Sequence, residues 1–167
     1  MNRALPAALA ALLLLAGCGL RPLYAGGGRG PEASALAAIE VGGIAGMAGW
    51  LTRAALIDRL SAGRASEETR YRLEVELNDR ITGFGARRDT AITRERRTLR
   101  ARYKLVDKAN GSVVLDATAD ADTGIDVVGS EYATIAAEQS AQERLAESIA
   151  DQIVTRIALY VARTQRP

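Results

Sequence analysis

The chain carries one cysteine, Cys18, and no histidine. Without an imidazole there is no Ser-His-Asp or Cys-His nucleophile and no histidine-based zinc site. A lone thiol cannot close an internal disulfide, so its chemistry must involve another molecule. The glycine-rich stretches, Gly42-Gly43 and Gly46, match neither a GxxxxGK[ST] loop nor a dinucleotide-binding fingerprint. Asp120 and Asp122 lie two residues apart, and paired carboxylates can do acid–base work. At strand spacing on an exposed face they read instead as a solvated surface. No catalytic residue, no metal site and no cofactor is expected beyond what Cys18 itself carries.

What Cys18 carries follows from the residues before it. Arg3 stands in a short charged start, an apolar run of alanine and leucine extends from Ala4 to Ala16, and the run ends Leu15-Ala16-Gly17-Cys18. A charged start, an apolar run of about 7–15 residues and small residues at the cut describe a secretory signal. The run is shorter than the roughly 20 residues of a spanning helix. Its ending resembles the lipobox of bacterial lipoproteins, which implies that residues 1–17 are removed and that Cys18 is acylated. Each buried methylene adds about 0.8 kcal/mol of membrane affinity, so several acyl chains at one residue make a permanent anchor.

Between the anchor and the domain, residues 18–34 read as a tether. Gly26-Gly27-Gly28, Gly30 and Pro31 favour turn and coil over any periodic element. Residues 35–167 suit a single domain. A short strand is expected over Leu36–Val41, stopped by Gly42-Gly43, and then a helix over Met47–Leu60 ending near Gly63. Met47, Trp50, Leu51, Ala54, Ala55, Ile57 and Leu60 recur at helical spacing, which predicts Trp50 as a core aromatic.

From Arg70 the period becomes two. Tyr71, Leu73, Val75 and Leu77 alternate with polar residues, and a loop is expected over Gly83–Thr90. A second strand over Thr93–Val106 sets Leu99, Ala101, Tyr103 and Leu105 inward. Lys108-Ala109-Asn110-Gly111 carries the Asn-Gly signal of a tight hairpin. A third strand sets Val113, Leu115, Ala117, Ala119 and Ala121 inward and its aspartates outward. A long helix over Tyr132–Ala162 follows, with Ser130 as its N-cap and Ala141, Leu145, Ile149, Ile153 and Ile157 on its buried stripe. The expected fold class is α+β, a two-layer sandwich with the helices on one face of the sheet.

Charge is segregated along the chain. Arg80 to Lys104 holds nine basic and two acidic residues, and Asp107 to Asp151 holds ten acidic and two basic ones. Across the hairpin, a basic strand face is therefore expected to sit beside an acidic one, with each pair contributing about 0.2–1 kcal/mol.

Two stretches carry a family resemblance. Cys18-Gly19-Leu20-Arg21-Pro22-Leu23-Tyr24 resembles the mature start of the LptE family. The run from Ser130-Glu131-Tyr132 through Ala141, Leu145-Ala146, Ala150-Asp151 and Arg156-Ile157 resembles that family's last helix, especially in its alphaproteobacterial form. In the first helix, Gly49-Trp50-Leu51-Thr52-Arg53 replaces the family's usual Gly-Gln-x-Leu-Arg-Asn-like segment.

The resemblance implies a non-enzymatic lipoprotein on the periplasmic face of the outer membrane, held there by its lipid. It implies that the domain plugs an LptD-like β-barrel, assists its assembly and serves insertion of lipopolysaccharide into the outer leaflet. No nucleic-acid partner is expected. Gly19 rather than Asp after the cysteine agrees with export to the outer membrane. Lipopolysaccharide carries anionic phosphates, and Arg87, Arg88, Arg94, Arg96 and Arg97 are the expected contacts, because a guanidinium matches phosphate oxygens two at a time. The alternative is a periplasm-facing accessory lipoprotein of another lipid-transport complex.

Overall fold

Why the first described element is a helix rather than a strand is visible in Pro31-Glu-Ala-Ser-Ala-Leu-Ala37. Proline's fixed φ suits a first helical position, and alanine, glutamate and leucine are strong helix formers. The structure, a computed structural model, describes residues 31–61, 68–86, 92–127 and 130–164. Its elements are α1 (Pro31–Ala37), β1 (Ile39–Val41), α2 (Gly46–Ser61), β2 (Tyr71–Ala86), β3 (Ile92–Asp107), β4 (Val113–Asp126) and α3 (Glu131–Thr164). The strand expected from Leu36 is thus only three residues long, and Pro31–Ser34, expected in the tether, are helical. Leu36 points into the core from α1.

The four strands lie in the order β1-β2-β3-β4, with β4 as an edge. β1 pairs parallel to β2 through Ile39↔Tyr71 to Val41↔Leu73, with α2 as the crossover. β2, β3 and β4 are antiparallel neighbours. Gly83, Phe84 and Ala86, expected in a loop, continue β2 because each has a partner on β3: Glu95, Arg94 and Ile92.

α2 and α3 pack on each other and on the inner sheet face, giving the expected two layers. Leu73, Leu99, Tyr103 and Leu105 of the sheet meet Leu56, Ile149, Ile153 and Ile157 of the helices, all essentially solvent-free. Each such side chain contributes about 1.5–3 kcal/mol. Ser130 caps α3 as expected: its Oγ accepts from the Ala133 amide at a long 3.5 Å, and its carbonyl accepts from Thr134 at 3.1 Å.

Three local expectations are corrected. Trp50 is not a core aromatic but is 64% exposed, and Met47 and Ile57 also face solvent. The buried stripe of α2 is Ala48, Gly49, Thr52, Leu56 and Leu60. Small residues bring this helix close to its neighbours: a Cβ at Gly49 would sit 2.6 Å from the Ile44 carbonyl oxygen. Thr52 is tolerated inside because its hydroxyl donates to the Ala48 carbonyl at 2.8 Å.

The hairpin between β3 and β4 is not a two-residue turn. The Asp107 amide donates to the Ser112 carbonyl, and Gly111, at φ +71°, donates to the Asp107 carbonyl. Asn110 acts through its side chain, accepting from the Ser112 amide at 2.9 Å, the local mimicry typical of Asn in turns. Finally, Val113 is exposed. A register irregularity at Leu105/Val106 breaks the alternation at that end of β4. The expected stop at Gly63 lies outside the described residues; α2 ends at Ser61.

Candidate functional site

On a strand, residues two apart share a face. Leu99, Ala101, Tyr103 and Leu105 are buried under the helices, so Arg94, Arg96, Arg100, Arg102 and Lys104 occupy the opposite, outer face of β3. Beside them β4 presents Asp116, Asp120, Asp122 and Asp126. The register sets Arg94 opposite Asp126 and Arg100 opposite Asp120. Arg94 donates to Asp126 at 2.9 Å, Arg96 lies 3.4 Å from Asp122 on the diagonal, and Arg102 reaches Asp116 diagonally at 3.1 Å. Hydrogen bonding to Arg102 holds the Asp116 carboxyl below its ordinary range. The outer face is a ladder of alternating charge, as the sequence predicts, rather than a purely basic plate.

Arg97 does not belong to that ladder. It shares its parity with Leu99 and therefore points to the helix side, where it is 11% exposed. Its Nε and Nη2 donate to the two Asp79 carboxylate oxygens at 2.9 and 2.6 Å, and its Nη1 donates to the Glu138 carbonyl of α3 at 3.1 Å. The hydrogen bond to Asp79 raises the guanidinium pKa further. This is a clamp between β2, β3 and the first turns of α3. Neither Asp79 nor Glu138 stood out in the sequence, although counting back by twos from Leu99 assigns Arg97 to the core side.

The five arginines expected to act together are therefore divided. Arg94 and Arg96 lie on the outer face with about 60% of each side chain exposed. Arg97 lies on the other. Arg87 and Arg88 fall outside the described residues, between the paired ends Ala86 and Ile92, and Cys18 also lies outside them. Asp120 and Asp122, weighed as an acid–base pair, sit in the ladder. Asp122 faces Arg96, and the Asp120 carbonyl accepts from Gln152 of α3 at 3.0 Å.

A second feature went unread in the sequence. Met47, Trp50 and Leu51 of α2 and Ile135 of α3 border a groove with Arg97 at one side. Among the described residues no group of histidine, cysteine, aspartate and glutamate is placed to hold a metal, and no helix is long and apolar enough to cross a membrane.

Comparison with known proteins adds to this geometry. No curated protein matches the chain. Among solved structures, a Caulobacter crescentus protein described as a lipoprotein is 30% identical, with a TM-score of 0.66, over 83% of this chain and 100% of its own. A minor lipoprotein from Acinetobacter baumannii (18% identity, TM-score 0.57, 72% and 91% covered) and the rare lipoprotein B of Shewanella oneidensis (10%, 0.57, 77% and 98%) share the fold. The family model described as LptE, lipopolysaccharide-assembly, matches residues 36–157, a span from the end of α1 deep into α3. The chain belongs to the LptE lipopolysaccharide-assembly family.

Proposed function

We propose that this protein is an outer-membrane lipoprotein, anchored through acylated Cys18, that plugs an LptD-like β-barrel and assists its assembly for the delivery of lipopolysaccharide. The family match over residues 36–157 carries this reading. The charge ladder supports it physically. A wide membrane barrel has a polar lumen, and an outer face of paired arginines and aspartates suits contact with water and polar walls. The family is non-enzymatic, in keeping with a chain that lacks histidine.

Within this reading, lipopolysaccharide phosphates meet the arginines at the far end of the sheet. Arg94 and Arg96 are exposed, and a phosphate would compete with Asp126 and Asp122 for them. Arg87 and Arg88 adjoin that end in sequence. Arg97, already held on both prongs by Asp79, is left out.

The test is affinity capture of the tagged full chain from solubilised outer membrane. Recovery of a large β-barrel in stable complex, lost from that fraction when Cys18→Ala blocks anchoring, is expected. Recovery with an inner-membrane transporter instead would overturn the assignment. For the phosphate contact, Arg87→Ala/Arg88→Ala should weaken lipopolysaccharide binding and flatten its salt dependence; unchanged binding would remove it.

A further inference from the structure

Five large apolar side chains remain in solvent around the start of α2, along the first turns of α3 and on the neighbouring stretch of β2. They are Met47 and Trp50 on α2, Tyr132 and Ile135 on α3, and Ile81 on β2, which stands opposite Arg97 in the register. Met47, Trp50 and Ile135 wall a groove of ≈ 490 Å³, within the roughly 300–1,000 Å³ of ordinary binding clefts. Tyr132 is 84% exposed and Ile135 56%. Clustered exposed apolar groups of this kind mark an interaction surface.

The groove's shape and charge narrow the occupant. α2 and α3 run side by side in the same direction, with Met47 near Gln142 at one end and Arg59 paired to Asp151 at the other. The lining residues recur at helical spacing, Met47-Trp50-Leu51 on one ridge and Ile135-Gln139-Gln142 on the other. Two helical ridges leave a furrow that accepts a third. The rim is acidic: Glu138 and Glu143 line the groove, and among the described residues neither makes an ion pair. The guanidinium alongside, Arg97, is held by Asp79 and the Glu138 carbonyl. The Glu138 carboxylate acts on Arg97 through space and Glu143 accepts only a long 3.5 Å bond from Gln139, so two carboxylates face one already engaged guanidinium. An anionic lipid would meet a net negative rim there, whereas a cationic segment would find acceptors beside an apolar floor.

We propose that this groove docks an amphipathic helix of a partner protein, one with an apolar stripe flanked by lysine or arginine. The inference stands on the groove alone and does not depend on the barrel assignment. It uses a different face from the arginine ladder.

Trp50, the only tryptophan in the chain, reports directly on occupancy through its fluorescence. The full chain in phosphatidylcholine nanodiscs is titrated with a Leu/Lys amphipathic peptide of about five helical turns, with a scrambled peptide of equal composition, and with a Leu/Glu counterpart. A separate arm replaces the disc lipid with phosphatidylglycerol. A saturable blue shift with the Leu/Lys peptide alone is expected. Glu138→Gln/Glu143→Gln should weaken that binding about tenfold, and Ile135→Ser should weaken it at unchanged thermal midpoint. Equal shifts with the scrambled or Leu/Glu peptide, a shift from phosphatidylglycerol alone, or unchanged affinity in both variants overturns the proposal.

Discussion

Arg97 on β3 and Asp79 on β2 are joined by two hydrogen bonds, at 2.9 and 2.6 Å, on the helix side of the sheet. The same guanidinium reaches the Glu138 carbonyl of α3, so one side chain fastens two strands to a helix. Arg97→Ala leaves a partly buried carboxylate without its cation and should destabilise the domain by about 2–3 kcal/mol. Arg97→Lys, which cannot donate to both oxygens in one plane, should recover only part. Denaturant midpoints and a double-mutant cycle with Asp79→Asn would measure this; additive effects would show that the pair is not coupled.

Gly49 makes the opposite kind of contribution, through what is missing. Alanine there gains at most about 1 kcal/mol in helix propensity. Its Cβ would meet the backbone of Ile44 at 2.6 Å, and overpacking of that kind costs typically 1–3 kcal/mol. Gly49→Ala should lower the unfolding midpoint, and an unchanged or raised midpoint would mean that the segment around Ile44 can yield.

The two isoleucines Ile153 and Ile135 share a helix and differ in setting. Ile153 is fully buried and Ile135 exposed. Ile153→Ala should cost about 2–5 kcal/mol through lost burial and the cavity left behind. Ile135→Ala should stay within about 0.5 kcal/mol. Chemical denaturation of the pair tests the assignment of the buried stripe.

Acid should loosen the base of the domain. Lys108 donates to Glu40 at 2.8 Å, joining the β3–β4 turn to β1, and lowers the Glu40 carboxyl from its ordinary 4.5. Asp116 is lowered from 3.8 by Arg102. A carboxyl whose folded pKa lies below its unfolded value stabilises fully above the unfolded value, and that contribution disappears as pH falls through the folded one. Stability should therefore fall with pH below the ordinary carboxylate range. Lys108→Met should return the Glu40 titration, followed by carboxyl NMR, toward 4.5; an unmoved midpoint would remove Lys108 as the cause.

Much of this fold is legible because its alternation is clean. Leu99 to Leu105 and Ala141 to Ile157 keep strict periods of two and of three to four, and their buried faces follow directly. α2 misleads because its contact stripe is made of Ala48, Gly49 and Thr52, residues that hydropathy ranks below Met47 and Trp50. Close helix packing selected for smallness there, and the large side chains were left for the groove. The site divides the same way. The Arg/Asp ladder follows from charge spacing, whereas the clamp at Arg97 needs Asp79 and Glu138, brought together only by the hairpin and the return of α3.

The ladder also bears on how the chain behaves before it meets a partner. β4 lies at the rim of the sheet, with no further strand beside it among the described residues, and its outward face carries Asp116, Asp120, Asp122 and Asp126. Two copies meeting along that edge in antiparallel register would set carboxylates against carboxylates, a repulsion that natural sheets use to resist joining end over end. Acid that neutralises those carboxylates would remove this guard as well as the pairs, so the same drop in pH that weakens the fold would expose an adhesive border. The aspartates of β4 thus serve twice, as partners of the arginines on β3 and as a charge that disfavours edge-to-edge pairing of two sheets.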